Sequence, residues 1–177
     1  MSTPFFIPVI LGTARAERES AKVAKLVLSV LQKNTAVQTE LVDVEDFLFG
    51  RTSRFDEEKN TEAARWHDIA FKAHGFILIA PEYNRGYPGE LKILLDSLYD
   101  EYDKKPVAFV GVSSGPLGGA RGVEQLKLVA VGLRMIPVPD SVYISGVEDA
   151  FDSSGALKET SYLKKIERML TSLLSYL

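Results

Sequence analysis

The sequence predicts an α/β protein whose parallel sheet is covered by helices on both faces. Short apolar runs, each of the length of a buried strand, alternate along the chain with segments in which apolar residues recur at helical spacing. The runs are almost continuously apolar, as in parallel strands that are buried on both sides. Strands that alternate with helices in this way predict a three-layer α/β/α sandwich.

Five strands are expected, at residues 5–11, 37–44, 76–80, 107–112 and 135–144. Helical spacing of apolar residues follows them at 24–31, 66–73, 91–98, 123–133 and 163–177. Pro137 and Pro139 interrupt the fifth strand, and residues 47–59 are irregular and charged, which indicates a surface loop. Because crossovers between parallel strands are right-handed, a doubly wound sheet is favoured. Five parallel strands suit the order 2-1-3-4-5 of flavodoxin-like folds.

Length and composition limit the classes to which the chain can belong. Its 177 residues, 46% of them hydrophobic, suit one domain, 1–177, with a substantial core. The net charge of −3 gives no basic excess, so we expect no nucleic-acid partner. The absence of cysteine excludes thiolate nucleophiles and Cys-bound metals, and it favours a cytoplasmic location. No apolar run has the ~20 residues that span a bilayer, so we expect no membrane partner. The N-terminus has no basic region before its first strand, so we expect no secretory signal.

The loops after strands 1, 3 and 4 are expected to meet, because the carboxyl ends of these strands are neighbours in the predicted sheet. The first loop, residues 12–20, contains Thr13, Arg15, Arg18 and Ser20. Hydroxyl groups, guanidinium groups and the N–H groups of a helix N-terminus together suit an anion such as phosphate. The alternatives are solvated surface arginines and, for Ser20, a helix cap. The loop matches neither the P-loop nor the G-x-G-x-x-G pattern.

The second loop begins with Pro81, Glu82, Tyr83 and Asn84. A ring, an amide and a backbone edge suit a flat polar ligand. The alternative is a simple turn marked by Pro81 and Pro88, and Pro88 equally suits the first residue of the helix that follows. The third loop, residues 111–122, is rich in glycine and serine, and its alternative is a flexible connection. Its candidate ligand-binding residues are Ser113, Ser114, Gly115 and Gly118. The combination of the three loops indicates the position at which flavodoxin-like folds hold FMN.

These motifs resemble those of the NADPH-dependent FMN reductases, a flavodoxin-like family that includes chromate, azo-dye and quinone reductases. The matching pieces are Leu11-Gly12-Thr13-x-Arg15-x-x-Arg18-x-Ser20, Pro81-Glu82-Tyr83-Asn84 with Pro88-Gly89 and Leu91-Lys92, and Ser113-Ser114-Gly115 with Gly118-Gly119. They extend from residue 5 to about residue 135. Members often carry Asn after the Leu-Lys pair, where this chain has Ile93.

The resemblance implies an oxidoreductase that uses FMN and NADPH or NADH. It implies that the flavin phosphate is bound by Thr13, Arg15, Arg18 and Ser20. The ribityl chain and ring would be lined by Pro81, Glu82, Tyr83 and Asn84. The other edge of the ring would be approached by Ser113, Ser114 and Gly115, with Gly118 nearby. It also implies a homodimer or homotetramer, with residues 85–102 as the candidate contact. The acceptor is a small molecule: a quinone, an azo compound, a metal oxyanion or free flavin.

The chemistry belongs to the cofactors, so we assign no catalytic acid or base and no metal ligand. His67 and His74 precede the third strand, far from its carboxyl end, and are interpreted as structural or surface residues. Asp43 and Glu45 are interpreted as a solvated strand end. Two other functions stay open, a flavodoxin-type electron carrier and a scaffold protein with an empty site. The small net charge of −3 argues against the carrier, because such proteins dock through strongly acidic surfaces.

Overall fold

A computed structural model of the chain describes residues 3–47, 61–153 and 155–177, so the predicted loop 47–59 lies, apart from its first residue, outside the described residues. The strands are β1 (Phe5–Phe6), β2 (Val9–Leu11), β3 (Val37–Gln38), β4 (Leu41–Asp43), β5 (Phe76–Pro81), β6 (Pro106–Val112), β7 (Ile136–Pro137) and β8 (Val142–Ile144). The helices are α1 (Ser20–Leu31), α2 (Thr61–Lys72), α3 (Gly89–Asp96), α4 (Ala120–Gly132), α5 (Val147–Ala150) and α6 (Ser161–Leu174). Two 3₁₀ turns lie at Val44–Phe47 and Asp100–Tyr102.

The main sheet is parallel. Its strands lie in the order β4-β2-β5-β6-β7, and β8 also pairs with β6, while β1 and β3 form a separate parallel pair. Helices α1 and α6 pack on one face, and α2, α3 and α4 pack on the other. The predicted three-layer α/β class is therefore confirmed.

Three of the expected strands are each divided into two shorter ones. The first is divided at Ile7–Pro8, where proline has no N–H to continue a ladder. The fifth is divided at residues 138–141, which include Pro139. Pro88 has an extended backbone and directly precedes α3, so it is the N-cap and not the first helical residue.

Alternate residues of the central strands enter opposite halves of the core. In β5, Ile77 and Ile79 contact the residues of α1 and α6, whereas Phe76, Leu78 and Ala80 contact those of α2, α3 and α4. All five side chains are buried. This two-sided burial makes the centre of the sheet a rigid support for the loops that follow it.

The carboxyl ends of β2, β5 and β6 lie side by side. Leu11 is in register with Ile79, and Pro81 is in register with Val112. The Gly12 N–H donates to the Ile79 carbonyl at 2.9 Å, and a Cβ on Gly12 would lie 2.8 Å from that oxygen, so only glycine fits there. The three loops therefore start from one edge of the sheet. Within the described residues, no helix is long and apolar enough to cross a membrane.

Candidate functional site

A cleft of about 200 Å³ opens at this edge, between the loops that follow β2, β5, β6 and β8. Most of the predicted site residues line it: Arg15, Arg18, Ser20, Pro81, Glu82, Tyr83, Ser113 and Ser114. The other four do not contribute to its wall, and they are Thr13, Asn84, Gly115 and Gly118. The structure thus brings most of the residues named from the sequence together at one cleft.

The first and second loops are joined by Thr13 and Tyr83. Thr13 is fully buried, and its Oγ1 lies 2.9 Å from the Tyr83 hydroxyl oxygen. Thr13 Oγ1 also accepts the Arg15 N–H at 3.3 Å. The Arg15 side chain is exposed at the cleft and, among the described residues, has no ion-pair or hydrogen-bond partner. Thr13 therefore holds the first loop in place through these two contacts, and the Arg15 side chain is available to bind an anion.

Arg18 is already paired. Its Nη1 donates to Glu45 Oε2 at 2.9 Å, and its Nη2 donates to Asp43 Oδ2. Asp43 Oδ1 in turn accepts the Glu45 N–H at 3.0 Å. The Glu45 side chain is exposed, as a solvated strand end predicts, whereas Asp43 is partly covered, and both carboxylates also hold the guanidinium group of the first loop.

Two polar groups of this loop are buried and lack a partner among the described residues, Arg18 Nε and Ser20 Oγ. Ser20 is the first residue of α1 and makes no capping hydrogen bond, so the helix-cap alternative is also wrong. A buried unsatisfied polar group costs roughly 1–3 kcal/mol. Both groups can donate, and a phosphate oxygen can accept from both.

The N-terminus of α1 supports the same ligand chemistry. The first turn of this helix contains no acidic residue, although the N–H groups of Ala21 and Lys22 already donate to the carbonyls of Arg18 and Glu19 at 3.1 and 3.0 Å. The positive end of the helix dipole therefore acts at the cleft together with Arg15. On these grounds the residues present fit the phosphate group of FMN.

The carboxylate of Glu82, a residue of the cleft wall, is hydrogen-bonded to the first turn of α4. Its Oε1 accepts Arg121 Nε at 2.8 Å and lies 2.6 Å from Arg121 Nη2. Its Oε2 accepts the backbone N–H groups of Arg121 at 3.1 Å and Gly122 at 3.4 Å. Burial raises the pKa of Glu82, but Arg121 and these N–H groups outweigh it and hold the pKa below its usual value. Glu82 thus closes the N-terminus of α4 and attaches the second loop to it.

Asn84 lies in a tight turn and not on the cleft wall. Tyr83 and Gly86 exchange two backbone hydrogen bonds at 2.9 and 3.0 Å, and both Asn84 and Arg85 have positive φ, at 51° and 67°. Two positive φ values are typical of a type I′ turn, which asparagine tolerates well. Gln125 Nε2 of α4 donates to the Arg85 carbonyl at 2.8 Å and fixes the turn from behind.

The third loop is shaped by packing as much as by its flexibility. Ser113 Oγ accepts the Gly115 N–H at 2.8 Å, which orders the start of the loop. Gly118 has a φ of 58°, and a Cβ there would lie 2.8 Å from the Tyr143 carbonyl carbon. Gly118 is therefore required for close contact with β8, and the alternative of a merely flexible connection does not describe this turn.

The sequence analysis missed residues on two walls of the cleft. Glu17 and Glu19 of the first loop contribute, as do Val147 and Glu148 of α5. The Val147 N–H donates to the Ser113 carbonyl at 3.2 Å, which places α5 beside the third loop. The signal was available, because a fifth strand beside the fourth brings its own following loop to the same edge. Within the described residues, no group of three or more His, Asp or Glu side chains could hold a metal ion.

The sequence profile of the NADPH-dependent FMN reductases matches residues 7–149. The chain belongs to this family. It is 29% identical, over 92% of its length and 85% of the relative, to an NAD(P)H-dependent FMN reductase of Schizosaccharomyces pombe. It is 28% identical, over 90% of its length and 88% of the relative, to a quinone reductase of Pseudomonas putida.

Among solved structures, a flavoenzyme NAD(P)H:(acceptor) oxidoreductase from Paracoccus denitrificans superposes with a TM-score of 0.79 and 20% identity, over 97% of this chain and 96% of the other. That likeness confirms the flavodoxin-like fold class. The family membership confirms the resemblance inferred from the motifs, and with it an oxidoreductase activity that depends on FMN and NAD(P)H.

Proposed function

We propose that the cleft holds FMN, with its phosphate at the first loop and its ring against the second and third loops. The observation that carries this placement is a pair of buried donors that have no partner among the described residues, Arg18 Nε and Ser20 Oγ, beside the exposed guanidinium group of Arg15. When bound, FMN supplies the chemistry that takes hydride from NAD(P)H and passes electrons to an acceptor.

In this placement each loop has one task. Arg15 and Ser20 bind the phosphate, and Thr13 keeps the first loop in shape through its contact with Tyr83. Pro81 and Tyr83 form the wall for the ribityl chain and ring, with Asn84 in the turn that follows them. The third loop approaches the opposite edge of the ring through Ser113, Ser114 and Gly115, while Gly118 keeps it packed on β8.

No side chain is proposed as a general acid or base. The carboxylate of Glu82 is bonded to Arg121 and to two N–H groups of α4, and its pKa is lowered, so it does not carry a proton near neutral pH. The residues of the cleft therefore bind and orient the flavin and exclude water from it.

For the acceptor we propose a quinone, ahead of azo compounds, metal oxyanions and free flavin. The support is that relatives of this chain include a quinone reductase of Pseudomonas putida and a 2-hydroxy-1,4-benzoquinone reductase of Burkholderia. A flavodoxin-type carrier would accept electrons without multiple turnovers of NAD(P)H. Steady-state oxidation of NADPH with benzoquinone separates the two functions.

We also propose a homodimer or homotetramer. The exposed large apolar side chains include Leu128 and Val131 on α4 and Tyr99 within the predicted contact segment 85–102. Light scattering with size-exclusion chromatography measures the mass, and Leu128→Glu is expected to reduce it if α4 takes part. A cytoplasmic location stays a prediction.

The test of the proposed function is the visible spectrum of the purified protein. We expect flavin absorption bands that bleach when NADPH is added and return when a quinone is added. A protein that is colourless and stays colourless after incubation with FMN would contradict FMN binding. Bands that bleach without catalytic NADPH turnover would support the electron carrier.

A further inference from the structure

The two carboxylates that hold Arg18 come from a strand end that the family resemblance did not include in the site. Asp43 is the last residue of β4, and Glu45 lies in the 3₁₀ turn after it. Asp43 binds the guanidinium Nη2 through one oxygen and the Glu45 N–H through the other. The Arg18 side chain is only 14% exposed, so its position depends on these partners.

In this arrangement one donor of Arg18, its Nε–H group, has no acceptor among the described residues. Nη1 and Nη2 are used by Glu45 and Asp43, while Nε is buried without a partner among the described residues. Arg18 and Ser20 both line the cleft, and Ser20 Oγ is the second buried group without a partner. A buried N–H group without a partner is uncommon in folded proteins, and an acceptor on a ligand in the cleft would satisfy it.

We propose that Asp43, assisted by Glu45, is a positioning residue that holds Arg18 so that its Nε–H is offered to the phosphate of the flavin. This inference rests on the proposed function, since it assigns partners within the same phosphate site. The carboxylates also offset the charge of Arg18. Recognition by Arg18 then depends on a directed hydrogen bond, while Arg15 supplies the unbalanced positive charge.

The two effects of the carboxylates have opposite consequences for FMN, which makes the proposal testable. Removal of a negative charge beside an anion site raises the local potential, and by electrostatics alone it tightens FMN binding. Removal of an anchor from Arg18 lets the guanidinium group move, and it weakens FMN binding. The sign of the change in the Kd of FMN for Asp43→Asn therefore shows whether Asp43 acts mainly through its charge or mainly by holding Arg18.

The experiment titrates the full chain of each variant with FMN and with riboflavin and follows flavin fluorescence. For Asp43→Asn we expect the Kd of FMN to rise roughly tenfold, the scale of one charge-assisted hydrogen bond. The Kd of riboflavin, which lacks the phosphate, is expected to change by less than about twofold. A Kd of FMN that is unchanged or lower would overturn the proposal.

A matched control removes a charge from the turn after β4 without touching Arg18. Asp46 follows Glu45 in the 3₁₀ turn, its side chain is exposed, and it has no ion-pair partner among the described residues. Asp46→Asn is expected to leave the Kd of FMN equal or lower, as electrostatics alone requires. If Asp46→Asn raises the Kd as much as Asp43→Asn does, the effect is not specific to the Arg18 clamp and the proposal fails.

A double-mutant cycle shows whether Asp43 acts through Arg18. In an Arg18→Ala background, Asp43→Asn is expected to leave the Kd of FMN unchanged or lower. An equal rise in both backgrounds would show a route independent of Arg18 and would overturn the proposal. Thermal melts without ligand check the fold of each variant. If Asp43→Asn does not fold, Glu45→Gln, whose side chain is 59% exposed, carries the test, with a smaller rise in Kd expected.

The wild-type titration keeps the two levels of inference apart. A wild-type chain that binds no FMN would contradict the proposed function and this inference with it. A wild-type chain that binds FMN, together with an Asp43→Asn variant that binds it equally well, would contradict this inference alone.

Discussion

Two arginines beside the cleft, Arg18 and Arg121, are each held by acidic side chains, but only one of the two clusters is complete by itself. Around Arg121, both oxygens of Glu82 accept hydrogen bonds, and the side chain of Glu82 is only 7% exposed. Around Arg18, two carboxylates are engaged and Nε remains buried without a partner among the described residues. The Glu82 cluster needs no ligand to satisfy its polar groups, whereas the Arg18 cluster leaves one donor for the phosphate that we propose to bind there.

The difference follows from what each cluster connects. Glu82 joins the second loop to the first turn of α4, and Gly122 lies so close to the turn that a Cβ would be 2.8 Å from the Gly86 carbonyl oxygen. The Arg18 cluster joins the first loop to the end of β4, and Arg18, which keeps one donor without a partner among the described residues, lines the cleft. We therefore expect mutations in the first cluster to act mainly on stability, and those in the second mainly on flavin affinity.

The largest expected effect is on stability, from Glu82→Ala. This change leaves two N–H groups of α4 and the Arg121 guanidinium without their acceptor, so we expect the free energy of unfolding to fall by about 2–3 kcal/mol. Denaturant unfolding of the flavin-free protein measures it. Glu124→Ala, which removes a more exposed carboxylate from α4 itself, is the control and is expected to change the free energy of unfolding by less than about 0.5 kcal/mol. Equal losses in the two variants would contradict the structural role of Glu82.

The second effect is on affinity, from Arg15→Ala. Loss of a charge-assisted hydrogen bond to the phosphate is expected to weaken FMN binding by about 1.5–3 kcal/mol. The free energy of unfolding without flavin is expected to stay within about 0.5 kcal/mol, because Arg15 is exposed and unpaired. Fluorescence titration measures the Kd, with Arg168→Ala on α6, away from the cleft, as the control. An unchanged Kd of FMN would show that Arg15 does not contact the phosphate.

Ser20→Ala separates the two kinds of effect within one residue. Removal of a buried hydroxyl group without a partner is expected to leave the flavin-free protein equally stable or more stable by about 0.5 kcal/mol. The same change is expected to weaken FMN binding by about 1 kcal/mol, because the phosphate loses a donor. Melting curves with and without FMN check both signs. A loss of stability without flavin would mean that Ser20 already has a partner in the free protein.

The smallest effect is a pH dependence from Glu82. Its pKa is lowered below the ordinary 4.5 by Arg121 and the N–H groups of α4, against the opposing effect of burial. A lowered pKa in the folded state contributes stability above pH 4.5, and that contribution is lost as the pH falls below this value. The difference in unfolding free energy between wild type and Glu82→Gln is therefore expected to be constant near neutrality and to shrink below pH 4.5. A constant difference down to pH 3 would contradict the shift.

The loops of the site could be predicted because they follow apolar strands of one parallel sheet, and their ends necessarily lie at one edge. The partners of the two arginines could not be predicted. Arg18 and Asp43 are 25 residues apart, and Glu82 and Arg121 are 39 residues apart, so neither pair leaves a local pattern. Asp43, judged by its own neighbours, has the character of a solvated strand end. The contribution of α5 was missed because only the loops after strands 1, 3 and 4 were compared.

The measurement that tests the central claim most directly is the affinity of the full chain for FMN against its affinity for riboflavin. The two ligands share the ring and ribityl chain, and they differ only in the phosphate that the first loop is proposed to bind. We expect FMN to bind at least about a hundredfold tighter, equivalent to about 2.7 kcal/mol. Equal affinities for the two flavins, or no binding of either, would contradict a phosphate site at Arg15, Arg18 and Ser20.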